Sequence, residues 1–278
     1  MSFWVKLGQL DRRVLYWAMF LLLIVPYISP LGLPIPITEG TVALYEFIEK
    51  NISEEDVVVF NISAGVSAWP EVLPGMIAIM RHLVQKGAKI VVWGVGHMDI
   101  PITWEKIKSE TPGLAKYKYG EDYVFIGFIA GTETAIAQLA VDVHAVVKAD
   151  YYGTPIAQLP LMQRVKSAKD VSLVITTDTG DAPLWYVRHW YMPYKVPIGE
   201  NGIAMMGSEY MPFYKAGQFV GILIGVRGGA EYERLVGYLG MGATACDALN
   251  VSHLLVIFAI ILANIGMVAM KLTKQEVK

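Results

Sequence analysis

Ser63, His97, Asp99 and Asp178 are the residue types of nucleophilic and acid–base chemistry. Each stands just past a short apolar run: Ser63 after 57–62, His97 and Asp99 after 90–93, Asp178 after 171–176. A serine activated by a histidine, itself oriented by a carboxylate, would make a hydrolase if the fold united them. The local pattern does not supply that activation, because Asn61-Ile62-Ser63-Ala64-Gly65 is not the G-x-S-x-G elbow. These four are the candidate catalytic residues. Other polar residues follow the apolar runs and are candidates for binding: Asn61, Thr132, Asp181, and Arg227 with Gly228 and Gly229, together with Glu200 and Asn201. Arg227 and the amides of the two glycines offer an anion hold at the start of a helix. The competing reading is structural, since Ser, Thr, Asp and Asn at such places cap helices and paired glycines make tight connections.

Several chemistries are disfavoured. The segment Ile175-Thr176-Thr177-Asp178-Thr179-Gly180 resembles the hydrophobic-D-T-G signature of aspartic proteases over those few residues only. That chemistry needs two carboxylates sharing a proton, and no second D-T-G occurs. Gly94-Val95-Gly96-His97 lacks the third glycine of a dinucleotide fingerprint and reads as a turn. The 5 histidines form no H-x-x-x-H pair and Cys246 stands alone, so no metal, cofactor or internal disulfide is expected. His82 and His189 are expected on helix surfaces. A formal charge of -2 gives no footprint for nucleic acid.

The elements that would position these residues come from periodicity. Strands are expected at 57–62, 90–93, 123–128, 171–176, 203–205 and 219–226, and helices near 71–86, 103–109, 132–147, 183–191, 209–216 and 230–239. A further helix follows Thr38. Continuous apolar strands separated by helices indicate a three-layer α/β domain with a mainly parallel sheet of about six strands. The irregular stretch 148–169 offers a division into two halves around a cleft.

Outside the domain, residues 14–33 and 251–270 carry no charge and are each long enough to cross a bilayer. Lys6, Arg12 and Arg13 precede the first run, and Lys271, Lys274 and Lys278 follow the second. This bias predicts a cell-membrane protein with cytoplasmic tails at 1–13 and 271–278, membrane helices at 14–33 and 250–270, and an extracytoplasmic domain at 34–249. Asn51, Asn61 and Asn250 lie in N-x-S sequons, which suits export. Pro26 predicts a kink or an early end in the first helix.

Each end of the chain carries a net charge of +2, which leaves the domain at −6 and about 19% charged, against roughly 25% for a typical soluble domain. Low charge suggests surface hidden against a partner. In the second apolar run, Ala259, Ala263, Asn264 and Gly266 form a small-residue face suited to helix association. The expected partners are therefore lipid and either a second copy or a multi-span membrane protein.

The order of anchor, P-x-P exit, helix, strand and second anchor, with Leu159-Pro160-Leu161-Met162 and the segment 237–247, resembles an uncharacterised family of prokaryotic double-anchored membrane proteins with an exported α/β domain. The resemblance implies this architecture and assigns no activity or site. The leading expectation is a non-enzymatic scaffold subunit of an oligomeric membrane complex. The alternative is a membrane-tethered hydrolase or solute-binding protein using a pocket at the strand carboxyl ends.

Overall fold

The computed structural model describes residues 11–276, and the side chains up to residue 272. Lys6 and Lys278, and the side chain of Lys274, lie outside what is described. In chain order the principal elements are α1 (Arg12–Ile28), α2 (Glu39–Asn51), β1 (Val57–Ser63), α3 (Trp69–Gln85), β2 (Lys89–Gly94), α4 (Ile100–Ser109), β3 (Tyr123–Phe128), α5 (Thr132–Val141), β4 (Leu173–Asp178), α6 (Ala182–Tyr186), β5 (Ile198–Gly202), α7 (Gly207–Lys215), β6 (Gly221–Ile224), α8 (Gly225–Leu235) and α9 (Met241–Glu276). Residues 35–242 form one compact unit, and 1–34 with 243–278 a second.

The first unit to consider is the α/β domain, whose six strands are all parallel in the order β3-β2-β1-β4-β5-β6. This is a doubly wound sheet whose connections reverse direction between β1 and β4. The strands are apolar on both faces because helices cover both. Val57, Val59, Val91, Val174, Ile198 and Ile222 point into one core. Val58, Phe60, Ile90, Val92, Ile175 and Leu223 point into the other.

The second core rests on close approach between α3 and α8. A Cβ on Gly229 would lie 2.8 Å from the Gly75 nitrogen, and one on Gly75 would overlap Asn201 Oδ1. Asn201 donates from Nδ2 to the Val72 carbonyl at 2.9 Å, two residues before Pro74 inside α3. Glycine is thus required where a helix backbone meets another backbone or a strand side chain.

Four sequence expectations change. The strand expected at 203–205 is β5 at Ile198–Gly202, and Ala204–Met206 is a single 3₁₀ turn. Sequence Ile-Gly-Glu-Asn-Gly has little strand propensity, yet every residue in it is buried. Gly199 is small because a Cβ there would stand 2.5 Å from Leu44 of α2. The helix expected at 230–239 begins at Gly225, so Gly228 and Gly229 lie inside it and do not open it. The helix expected at 132–147 breaks at Asp142, which turns extended and caps the next turn by accepting from the Ala145 amide at 3.0 Å. The stretch 148–169 does not divide the domain, since 35–242 is one compact unit.

His82 is also not on a surface. It is fully buried in α3, with Nδ1 2.8 Å from the Tyr232 hydroxyl of α8 and Nε2 3.0 Å from Glu49 of α2. Burial lowers its pKa, and the neighbouring Glu49 carboxylate opposes that shift. His189, by contrast, is half-buried and meets Glu133 at 2.9 Å.

In the other unit, Met241–Leu272 of α9 is long and apolar enough to cross a membrane, at a mean hydropathy of 2.4 over its most apolar window. The 17-residue α1 contains Pro26 and ends at Ile28. Beyond that end, the Asp247 carboxylate of α9 accepts from the amides of Gly32 and Leu33 at 2.8 and 3.0 Å.

Candidate functional site

In an open parallel sheet, the connections on either side of a reversal run to opposite faces and leave a crevice above the strand carboxyl ends. Here that point lies between β1 and β4, where Ser63 and Asp178 are register partners. The loop after β2 joins them. A Cβ on Gly65 would lie 2.9 Å from His97 Nδ1 and 3.3 Å from Asp99 Oδ2, and Asp99 Oδ2 accepts from the Val66 amide at 2.8 Å. Ser63, His97, Asp99 and Asp178, scattered over more than a hundred residues of chain, thus gather at the ends of three adjacent strands.

Their hydrogen bonds limit what they can do. Ser63 Oγ accepts from Asn61 Nδ2 at 2.9 Å and from the Val95 amide at 3.2 Å, and it donates to Asn61 Oδ1 at 3.2 Å. Both lone pairs and the proton are used, so Ser63 is a strand-end clasp in this arrangement and not a poised nucleophile. Asp178 is 6% exposed. Its oxygens accept from the amides of Thr179 at 2.7 Å and Ala182 at 2.6 Å, which ties β4 to α6. Burial pushes its carboxyl up to about 6, against the lowering pull of those amides and of His97.

Beneath the crevice runs a polar row that the sequence reading lacked as a unit. Asn61, Thr176 and Glu200 are paired across β1, β4 and β5. Glu200 is fully buried; Thr176 donates to its Oε2, while Oε1 has no hydrogen-bond partner among the described residues. Burial, with the Asp178 charge added, raises its pKa well above the ordinary value. Burial thus favours the protonated form of Glu200, the form that can donate a proton. Tyr210 of α7 reaches over to donate to the Gly180 carbonyl, and Tyr186 accepts from Trp93 Nε1 at 2.8 Å. Burial raises both phenols, with the Asp178 charge adding to the shift. Nothing in the sequence marks these tyrosines, which read as core aromatics.

The remaining candidates are dispersed. Asp181 is exposed at the start of α6. Thr132 is exposed after β3, with a left-handed φ of 45°, while Arg227 follows β6, so these two stand beyond opposite edges of the sheet. Arg227 donates from Nε to Glu231 at 2.8 Å and from Nη2 to the Pro36 carbonyl at 2.9 Å. Gly228 packs against Leu223 and Gly229 against Pro74 and Gly75, so the two glycines make helix contacts and do not form an anion cradle. In α9, Asn264 Nδ2 donates to the Ile260 carbonyl of its own helix at 2.9 Å.

The charge around the crevice is one-sided. The loops that follow β1 to β5 contain Asp99 and Asp181, no lysine or arginine, and His97 as their basic group, while Glu133 in the first turn of α5 is paired with Arg188 and His189. Apolar side chains stand among them, Met98 at 81% and Met205 at 76% exposure. Among the described residues no group of three or more His, Cys, Asp or Glu is placed to hold a metal ion. No protein family, curated protein or solved structure matches this chain.

Proposed function

We propose that this chain is a membrane-anchored binding protein whose α/β domain takes a small ligand in the crevice above β1 and β4. The observation that supports this reading is the meeting of Ser63, His97, Asp99 and Asp178 at the one reversal point of the sheet. Acidic loops without lysine or arginine disfavour phosphates and carboxylates and favour amines or polyhydroxylated ligands. A hydrolase is the weaker form of the proposal because the Ser63 hydroxyl is already engaged. Thermal-shift screening of the detergent-solubilised chain with amines, sugars and phosphates tests it. Stabilisation by an amine or sugar, abolished in His97→Ala and Asp178→Asn, is expected; stabilisation by phosphates alone sinks the proposal.

The anchoring is part of the same reading. Alpha-helix α9 crosses the membrane, residues 14–33 supply a second crossing, and both tails are cytoplasmic with 34–249 outside; the basic flanks support this. Protease added to intact cells should digest the domain and spare tags on both tails. Digestion of the tags reverses the orientation.

A second reading, association with a second copy or a multi-span partner as a scaffold, is favoured by one feature. Alpha-helices α1 and α9 flank an apolar groove of about 490 Å³ lined by Ala259 and Ala263 together with Leu15 and Met19. Small residues beside an unfilled groove admit another helix closely. Mass measurement after gentle extraction tests it, and a lone chain of 30.7 kDa removes it.

A further inference from the structure

The domain holds a cavity away from the carboxyl ends of β1 and β4. It measures about 940 Å³ and opens beside the outer strand β6, between α2, α7 and α8, a size within the range of small-ligand sites. Its floor is apolar: Phe219, Ile222 and Ile224 of the β6 segment and Met211 of α7. Its wall contains the buried carboxylate of Glu231, whose Oε2 accepts from the Thr38 amide and hydroxyl and the Thr41 hydroxyl at 3.0, 2.7 and 2.9 Å. Its Oε1 accepts from Arg227, whose guanidinium balances the buried carboxylate from a half-exposed position. Two charges remain at the mouth, Glu39 at the start of α2 and Lys215 at the end of α7, both exposed. Arg227, half exposed, keeps donors beyond the two it uses.

An apolar floor under one negative and one positive rim charge complements a ligand with the same three parts. We propose that this cavity binds an apolar zwitterion, a short apolar peptide with free termini, its ammonium toward Glu39 and its carboxylate toward Lys215 and Arg227. Its volume exceeds that of a single amino acid and suits a few residues. A peptide in this position is held by charge-assisted hydrogen bonds at its ends and by burial of its side chains on Met211, Phe219 and Ile224.

Calorimetric titration of the full chain in lipid nanodiscs tests the proposal, with trileucine, N-acetyl-trileucine, trileucine amide and leucine as probes. Trileucine is expected to bind, and blocking either terminus should weaken it about 10-fold or more, the loss of one hydrogen bond to a charged group. Lys215→Glu, an exposed change that leaves folding intact, should weaken trileucine while leaving the amide little affected. Met211→Trp should fill the cavity and abolish binding, whereas Asp178→Asn in the other crevice should not alter it. Leucine binding as tightly as trileucine supports the zwitterion and shortens the ligand to an amino acid. Equal affinity for free and blocked peptides, unchanged affinity in Lys215→Glu, or no heat with trileucine at millimolar concentration overturns the proposal.

Discussion

Asp178 and Glu200 are carboxylic acids that the fold keeps from water, and this has a measurable cost. A carboxyl raised from 3.8 to about 6 binds a proton more tightly in the folded chain than in the unfolded one. Its stabilising contribution is complete below the unfolded value and is lost as pH rises through about 6. A shift of this size corresponds to about 3 kcal/mol. Glu200, raised by its burial, acts with the same sign. Chemical denaturation across pH 4 to 8 should therefore show a flatter profile between pH 4 and 6 in Asp178→Asn than in the parent. Glu200→Gln keeps the shape and removes a charge that burial disfavours, so it should leave stability at pH 7 within about 1 kcal/mol. A large loss would show that the carboxyl makes an interaction the amide cannot replace.

His82 works in the opposite direction. Its pKa is lowered by burial, so the unfolded chain takes up a proton first as pH falls below about 6.5, and stability contributed by neutral His82 is lost on the acid side. Replacing it with Leu leaves the Tyr232 hydroxyl, fully buried, without its partner. That should cost about 1–3 kcal/mol at pH 7, measured by the same denaturation, and a neutral result would show that the contact between α3 and α8 does not depend on it.

At the level of elements, the contact of α3 with α8 and β5 depends on atoms that are missing. Gly75→Ala introduces a Cβ that collides with Asn201 Oδ1, and Gly229→Ala one that meets the α3 backbone. Neither neighbour is the free end of a flexible chain, so each should destabilise by about 1–3 kcal/mol in spite of alanine's better helix propensity. Urea midpoints check this; a gain in stability would show that the two helices can separate slightly without penalty. Close contacts of this kind put β5 and α8 earlier in the chain than local composition does. Gly199, Gly202, Gly225, Gly228 and Gly229 read as loop residues in one dimension. Their smallness is demanded by Leu44, Tyr210, Ala204, Leu223 and Gly75, which come from distant parts of the chain. Where strands were runs of β-branched and aromatic residues, as at Tyr123–Phe128, local composition was enough.

At the scale of the whole molecule, hydropathy and charge govern location. α9 carries no Asp, Glu, Lys or Arg from Asn250 to Met270, so the chain should remain in the membrane pellet after alkaline carbonate extraction. Release into the supernatant would mean that α9 is not inserted. Removing the α9 segment should be more damaging to membrane retention than removing α1, which is shorter at 17 residues and interrupted by Pro26.

The sequence by itself determined the α/β class, the alternation of strand and helix, and the apolar stretch at the carboxyl end, because each depends on periodicity or composition within a local window. Candidate residues at strand ends were legible for the same reason: a polar residue after an apolar run marks the rim of a parallel sheet. Only the tertiary structure decided which of them meet. Strand order places β1 beside β4 and puts Ser63 opposite Asp178, while Thr132 and Arg227 fall beyond the two edges. Burial likewise belongs to the fold: Glu200 and His82 are ordinary polar residues in the chain, and become a carboxyl of raised pKa and a buried link between helices when distant elements exclude water from them.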